Sequence, residues 1–229
     1  MSVAYRQQLD AALLELQSRW DRALSLLRSQ AKSDVAEWSA SLDRLVLAQR
    51  RLIADGLWTR GPSDLLAVLG VHHDEVRNCR VLRWLFDPMG PHGLGTHFLG
   101  WFLDAVGTSV PPEDLALVSV EAEVVAGRTR ADLVLSGPRF TVVVEAKMNA
   151  PEAPRQCHNI EAAWADQDPS LVFLTRSGRP PRTGHPAAWT SISWRDVGAG
   201  LERSLVERPA AGPGRLAAEE YLRSLRSYT

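Results

Sequence analysis

Hydrophobic and polar positions along the chain repeat with a helical period up to about residue 115, where a strand period takes over before strands and helices alternate to the end. Leu13, Leu16, Trp20, Leu24 and Leu27 recur every three or four residues. A polar break falls near Ser33–Asp34, and the spacing resumes at Val35, Trp38, Leu42 and Leu45. Gln49 is a polar interruption, after which Leu52 restores the stripe. Ser33 or Asp34 is suited to cap a second helix, so residues 1–60 are expected to form an antiparallel helical hairpin. The stripes would pack on each other or on the rest of the chain, or else serve as a dimerisation element. One polar residue in a seam is compatible with both. Gly61-Pro62-Ser63 marks a boundary. Beyond it the pattern predicts a short helix around Ser63–Leu69, a helix capped by Asp74 and running to Phe86, and a stop at Asp87-Pro88-Met89-Gly90. A further helix spans roughly Gly95–Val106, with Phe98, Phe102 and Val106 on one face.

From Leu115 the pattern predicts three strands, Leu115–Val125, Arg130–Leu135 and Phe140–Lys147, the last two joined through Ser136-Gly137-Pro138-Arg139. Pro151–Asp166 reads as a helix with proline near its start, where the missing N–H is harmless. Leu171–Thr175 and Trp189–Trp194 read as strands, and helices at about 196–207 and 215–227 close the chain. This order predicts an α/β protein with a mixed sheet flanked by helices.

Composition narrows the field. The chain has 229 residues, 45% hydrophobic and 23% charged, which is ordinary for a globular protein. No apolar run approaches the ~20 residues needed to cross a bilayer, and the N-terminus lacks a signal-peptide pattern, so a cytoplasmic location is expected. Two cysteines, Cys79 and Cys157, suggest no disulfide framework. A net charge of −1 argues against coating nucleic acid through bulk charge. It leaves room for a local cluster of arginines or a metal ion to attract phosphate. Of the 26 basic residues only Lys32 and Lys147 are lysines, so each invites a question.

Lys147 sits in the chemically informative stretch. Phe140-Thr-Val-Val-Val144 is built for burial, yet it ends in Glu145-Ala146-Lys147. With Gly137-Pro138 as the tip, Asp132 faces Val143 and lies diagonal to Glu145, about 7–8 Å away. Alternation then puts Asp132, Glu145 and Lys147 on one face of the sheet. Charges at the edge of a core are paired or bind metal. Two carboxylates, the Ala146 carbonyl and waters would satisfy Mg²⁺. Unlike arginine, a partly buried lysine can have its proton affinity tuned, which suits a group working beside an attacking water. The plainer alternative is a strand-end salt bridge.

These residues resemble the PD-(D/E)XK nuclease superfamily, whose αβββαβ core carries an Asp ending one strand and (D/E)-X-K on the next. Asp132 and Glu145-Ala146-Lys147 match that pattern, with Ala131 where a proline is usual. The stretch Asp74–Pro88, then Pro91-His92-Gly93-Leu94-Gly95 and Phe98-Leu99, resembles the first helical region of a bacterial subgroup. Leu174–Gly178 and Trp189–Trp194 resemble that subgroup's last core strands. The likeness covers about residues 64–200. It implies a restriction-endonuclease-like fold and metal-dependent hydrolysis of phosphodiester bonds by a DNA endonuclease, with restriction or phage defence as a setting. Mg²⁺ is the implied ion, with Mn²⁺ able to substitute, and double-stranded DNA is the implied partner. It also implies a metal-site role for Glu75, which shares a helix face with Cys79, Leu82 and Phe86, and a positioning role for Gln156. A homodimer through the N-terminal helices would place two sites on two strands.

Residues 169–195 contain no acid but include Arg176, Arg179 and Arg182, the best candidates for phosphate contacts. Arg128 and Arg130 flank Asp132 and serve either phosphate or the carboxylates. Glu121 and Glu123 are weaker candidates for the site. Trp189 or Trp194 is a candidate stacking platform for unpaired bases, though core anchoring is the plainer role. His72, His73, Cys79, His92 and His97 lack paired spacing for zinc. Cys157 and His158 are adjacent on a helix and diverge too far for a catalytic pair.

Overall fold

The computed structural model describes residues 3–58, 61, 62, 64–209 and 211–228, with side chains from residue 13 onward. Ser63, assigned above to the boundary and the short helix, lies outside the described residues. The chain divides after residue 60 into two compact units.

The first unit corrects the expected hairpin. It is one helix of 52 residues, α1 (Val3–Ala54), with no break at Ser33–Asp34. The sequence contains no glycine or proline before Gly56, so nothing forces a turn. Gln30 Nε2 donates to Asp34 Oδ1 over 2.9 Å across one helical turn, so the polar pair supports the helix instead of ending it. The stop comes at Gly56, whose φ of 68° is the left-handed turn that closes a helix.

The second unit is mixed α/β. Four helical segments, α2 (Leu65–Val68), α3 (Glu75–Phe86), α4 (His97–Ala105) and α5 (Pro112–Leu115), precede the strands β1 (Ser119–Ala126), β2 (Thr129–Gly137) and β3 (Phe140–Ala146). Then come α6 (Gln156–Trp164), β4 (Ser170–Thr175), β5 (Trp189–Ser193), α7 (Trp194–Glu207) and α8 (Pro213–Arg226). The five strands lie in sequence order; β1, β2 and β3 are antiparallel, whereas β3, β4 and β5 are parallel.

Alternation divides the interior into two layers. Leu133, Leu135, Val142, Val144, Val172 and Leu174 face the larger layer, with Leu82 and Phe86 of α3, Phe98 and Phe102 of α4, Trp194 and Leu201 of α7, and Leu222 of α8. Val134, Val143, Leu171 and Phe173 face α6 through Cys157, Ile160 and Trp164. The helix α6 begins at Gln156, later than the proline-based expectation. Both α3 and α6 start at the end of the sheet where β3 stops, and this brings the two layers together around one set of side chains.

The β2–β3 register also differs from expectation. Gly137 pairs with Phe140 and Leu133 with Val144, so Pro138-Arg139 is a two-residue tip. The shift is two residues, which preserves the face of every side chain. It brings Asp132 level with Glu145 instead of diagonal to it.

Candidate metal centre

The acid of β2, Asp132, is almost wholly buried, and its Oδ2 accepts the Ala146 N–H at 2.8 Å. This bond holds the Asp132 carboxylate against the backbone at the end of β3. Glu145 is fully buried. Its Oε1 accepts two donors at 2.6 Å, Lys147 Nζ and Gln156 Nε2. Its Oε2 is buried with no hydrogen-bond partner. A buried carboxylate oxygen with nothing to bind costs free energy that a cation would return.

Two helices complete the cluster. Asp74 caps α3 by accepting from the Arg77 N–H, which fixes where the helix begins and turns Glu75 inward. Glu75 Oε1 accepts the Met148 N–H at 2.8 Å, and its Oε2 lies 3.5 Å from Lys147 Nζ. Gln156, the first residue of α6, also accepts the Ala153 N–H, so its amide is oriented from behind. Asp132, Glu145, Lys147, Glu75 and Gln156 are therefore brought together at one end of the sheet. Trp194 Nε1 donates to the Lys147 carbonyl at 3.2 Å and anchors the strand end.

Three acids around one amine leave an excess of negative charge, and the proton equilibria follow from it. Burial and then the charge of Asp132 push the Glu145 carboxyl up to about 8. Burial likewise raises Asp132, against the pull of the Ala146 N–H and Lys147. For Lys147 burial works downward, but Glu145, by charge and hydrogen bond, and then Glu75 and Asp132 outweigh it, so the net shift is upward. Lys147 is thus held as an ammonium. This is the charged form that suits a group placed beside an attacking water.

The donor set fits a hard divalent cation. It offers carboxylate oxygens, one of them buried and unpartnered, in a site short of positive charge. The residues that would hold it are Asp132 and Glu145, with Glu75 beside them.

The arginines have distinct fates. Arg130 pairs with Glu123 Oε1 at 3.1 Å, and Arg80 holds the other oxygen of Glu123 at 2.8 Å. Glu123 is therefore spent on arginines, while Glu121 is exposed on β1. Glu123 has φ 58°, in the left-handed region, and interrupts the β1–β2 ladder between Ala122–Leu133 and Val124–Ala131. Arg128 is exposed in the turn between β1 and β2, beyond the start of β2 that carries Asp132. Arg179 is half-buried and already engaged. It donates to Glu152 Oε1 at 2.6 Å and lies over the Phe173 ring at 5.4 Å. Arg176 and Arg182 are exposed just past the end of β4, the former bonded to Asn149 Oδ1 and the Tyr228 carbonyl.

Neither tryptophan is a stacking platform. Trp189 is 6% exposed and donates to Glu161, and Trp194 is fully buried. The residue whose role was hardest to foresee is Glu152. Its Oε2 accepts the N–H groups of Arg182 and Thr183 and the Thr183 hydroxyl, so it straps the arginine-bearing loop to the segment before α6. Comparison with family models, with curated proteins and with solved structures finds no match to the chain.

Proposed function

We propose that residues 61–229 are a Mg²⁺-dependent nuclease with a restriction-endonuclease-like fold, hydrolysing phosphodiester bonds of double-stranded DNA. The observation that carries this reading is the buried, unpartnered Glu145 Oε2 level with Asp132, beside a lysine held as an ammonium. When bound, the cation supplies Lewis acidity toward a phosphoryl oxygen and makes a nearby water more acidic. Asp132 and Glu145 fix its position. Lys147 donates hydrogen bonds toward charge developing on the phosphate. Gln156 keeps Glu145 Oε1 engaged, so that Oε2 is the oxygen presented. Glu75 ties the Met148 backbone and Lys147 to α3. Arg128, Arg176 and Arg182 stand at the same end of the sheet, where a phosphate backbone would run. Restriction or phage defence is the biological setting we infer.

The test is cleavage of plasmid, linear and single-stranded DNA by the purified chain with Mg²⁺ or Mn²⁺. Asp132→Ala, Glu145→Ala and Lys147→Ala should each lower the rate by roughly 100-fold or more, and Gln156→Ala by about tenfold. Full activity in the Lys147 or Asp132 variant would reject the assignment. DNA binding without metal-dependent cutting would identify a nuclease-fold binding protein instead.

A further inference from the structure

Away from the acidic site, the surface where α6 meets the loop leading into β5 brings together two imidazoles and a carboxylate. His158 and Glu161 lie one turn apart on α6, and His185 comes from the loop. One ligand atom from each lies within 4.8 Å of the other two. The carboxylate is divided in its duties. Glu161 Oε1 accepts the His185 backbone N–H and Trp189 Nε1, both at 2.7 Å. Glu161 Oε2 faces the ring nitrogens, His185 Nδ1 at 2.7 Å and His158 Nδ1 at 3.9 Å.

The loop is built to reach this position. A Cβ on Gly184 would stand 2.2 Å from Glu161 Oε1 and 2.9 Å from Cys157 Cβ, so only glycine lets the backbone pass this close to α6. Trp189 is 6% exposed and fixed in the core, so its indole N–H is a rigid donor. Donors that hold one oxygen and aim the other are the outer-shell pattern of metal sites.

We propose that His158, Glu161 and His185 form a second metal site, selective for a transition ion of the zinc type and separate from the acidic centre. Two imidazole nitrogens and one carboxylate oxygen suit Zn²⁺, whereas Mg²⁺ wants oxygen alone. Three protein ligands leave a fourth position for water. Binding requires both Nδ1 atoms unprotonated, so each neutral ring would carry its proton on Nε2 while Nδ1 faces the ion. The ion would clip the arginine-bearing loop onto α6, the helix whose first residue, Gln156, contacts Glu145.

The full chain, stripped with chelator, is titrated with Zn²⁺ against a chromogenic competitor, and the bound ion is examined by X-ray absorption. The expected result is one Zn²⁺ per chain with a nitrogen- and oxygen-only shell, retained in Asp132→Ala. Both His185→Ala and His158→Ala should lose it, and Trp189→Phe should weaken it by about tenfold. His185 is largely exposed, so its substitution leaves the core intact and its circular dichroism unchanged. No Zn²⁺ binding at micromolar concentration would overturn the proposal and leave the cluster a hydrogen-bonded latch. Undiminished binding in His185→Ala, or loss only in Asp132→Ala, would also overturn it. None of these readouts depends on whether the chain cuts DNA.

Discussion

Lys147 and Gln156 donate to the same oxygen of Glu145, each over 2.6 Å, from a strand end and a helix start respectively. The other oxygen of that carboxylate is left buried and unpartnered. A group so placed is neutral or ionised according to whether a cation is present, and this links metal binding to pH.

In the metal-free protein Glu145 is raised from an ordinary carboxyl value near 4.5 to about 8. The folded state therefore holds a proton that the unfolded chain gives up. The contribution to stability is fully present below about pH 4.5 and is lost as pH climbs toward 8. The melting temperature of the chelated protein should fall across that window relative to Glu145→Gln, which cannot titrate. Below pH 8, Mg²⁺ binding should release protons, measured by calorimetry in buffers of different ionisation enthalpy. Proton release unchanged in Glu145→Gln would assign the linkage elsewhere.

The Glu152 strap gives a prediction about stability. Its side chain is 4% exposed and serves one guanidinium, two backbone N–H groups and a hydroxyl. Truncation to alanine leaves those donors unpaired and should cost roughly 1–3 kcal/mol. Hydrogen exchange should accelerate at Arg182 and Thr183 before it does in β3.

Phosphate contacts are read by salt. If Arg128, Arg176 and Arg182 each neutralise one phosphate, removing any one should reduce the slope of log affinity against log salt by roughly 0.9. Arg179→Ala should disturb stability through Glu152 more than it changes that slope. Equal slope changes for all four would mean that Arg179 leaves its partner to bind DNA.

The apolar stripe of α1 asks for a cover. Trp38, Leu42 and Leu45 are 74%, 61% and 67% exposed along a helix of 52 residues. A second copy of the chain is our candidate occupant, because the 3–4 spacing from Val35 to Leu52 suits a helical seam. Sedimentation equilibrium should give a dimer for the full chain and a monomer for the Leu42→Asp, Leu45→Asp variant. A monomer for both would place the cover elsewhere.

Much of the candidate centre was legible because its residues break a local rule. Ionisable groups at the end of a Val-rich strand demand partners, and the face they share depends only on the parity of the register. The register itself was two residues off, since Pro138 at the tip admits more than one turn and the hydrophobic pattern is unchanged by a shift of two. The hairpin expected in residues 1–60 rested on Ser33 and Asp34 as caps. Serine and aspartate also tolerate a helix interior, and only tertiary context or a glycine would have forced a break. The pairing of Arg179 with Glu152 spans 27 residues that include α6 and β4, a separation over which side-chain periodicity carries no information.

The hairpin of β2 and β3 has a consequence for how the centre assembles. Its tip is two residues, Pro138 and Arg139, and its closure brings Asp132 and Glu145 level before any helix is needed. Hairpins form within about 1–10 μs, whereas docking helices from distant parts of the chain is slower. Mutual repulsion of Asp132 and Glu145 would oppose that early step. Lys147, one residue past the end of β3, travels with the pair and supplies its counter-charge from the outset. The lysine thus serves the nascent chain as well as the finished one, and its removal should slow refolding.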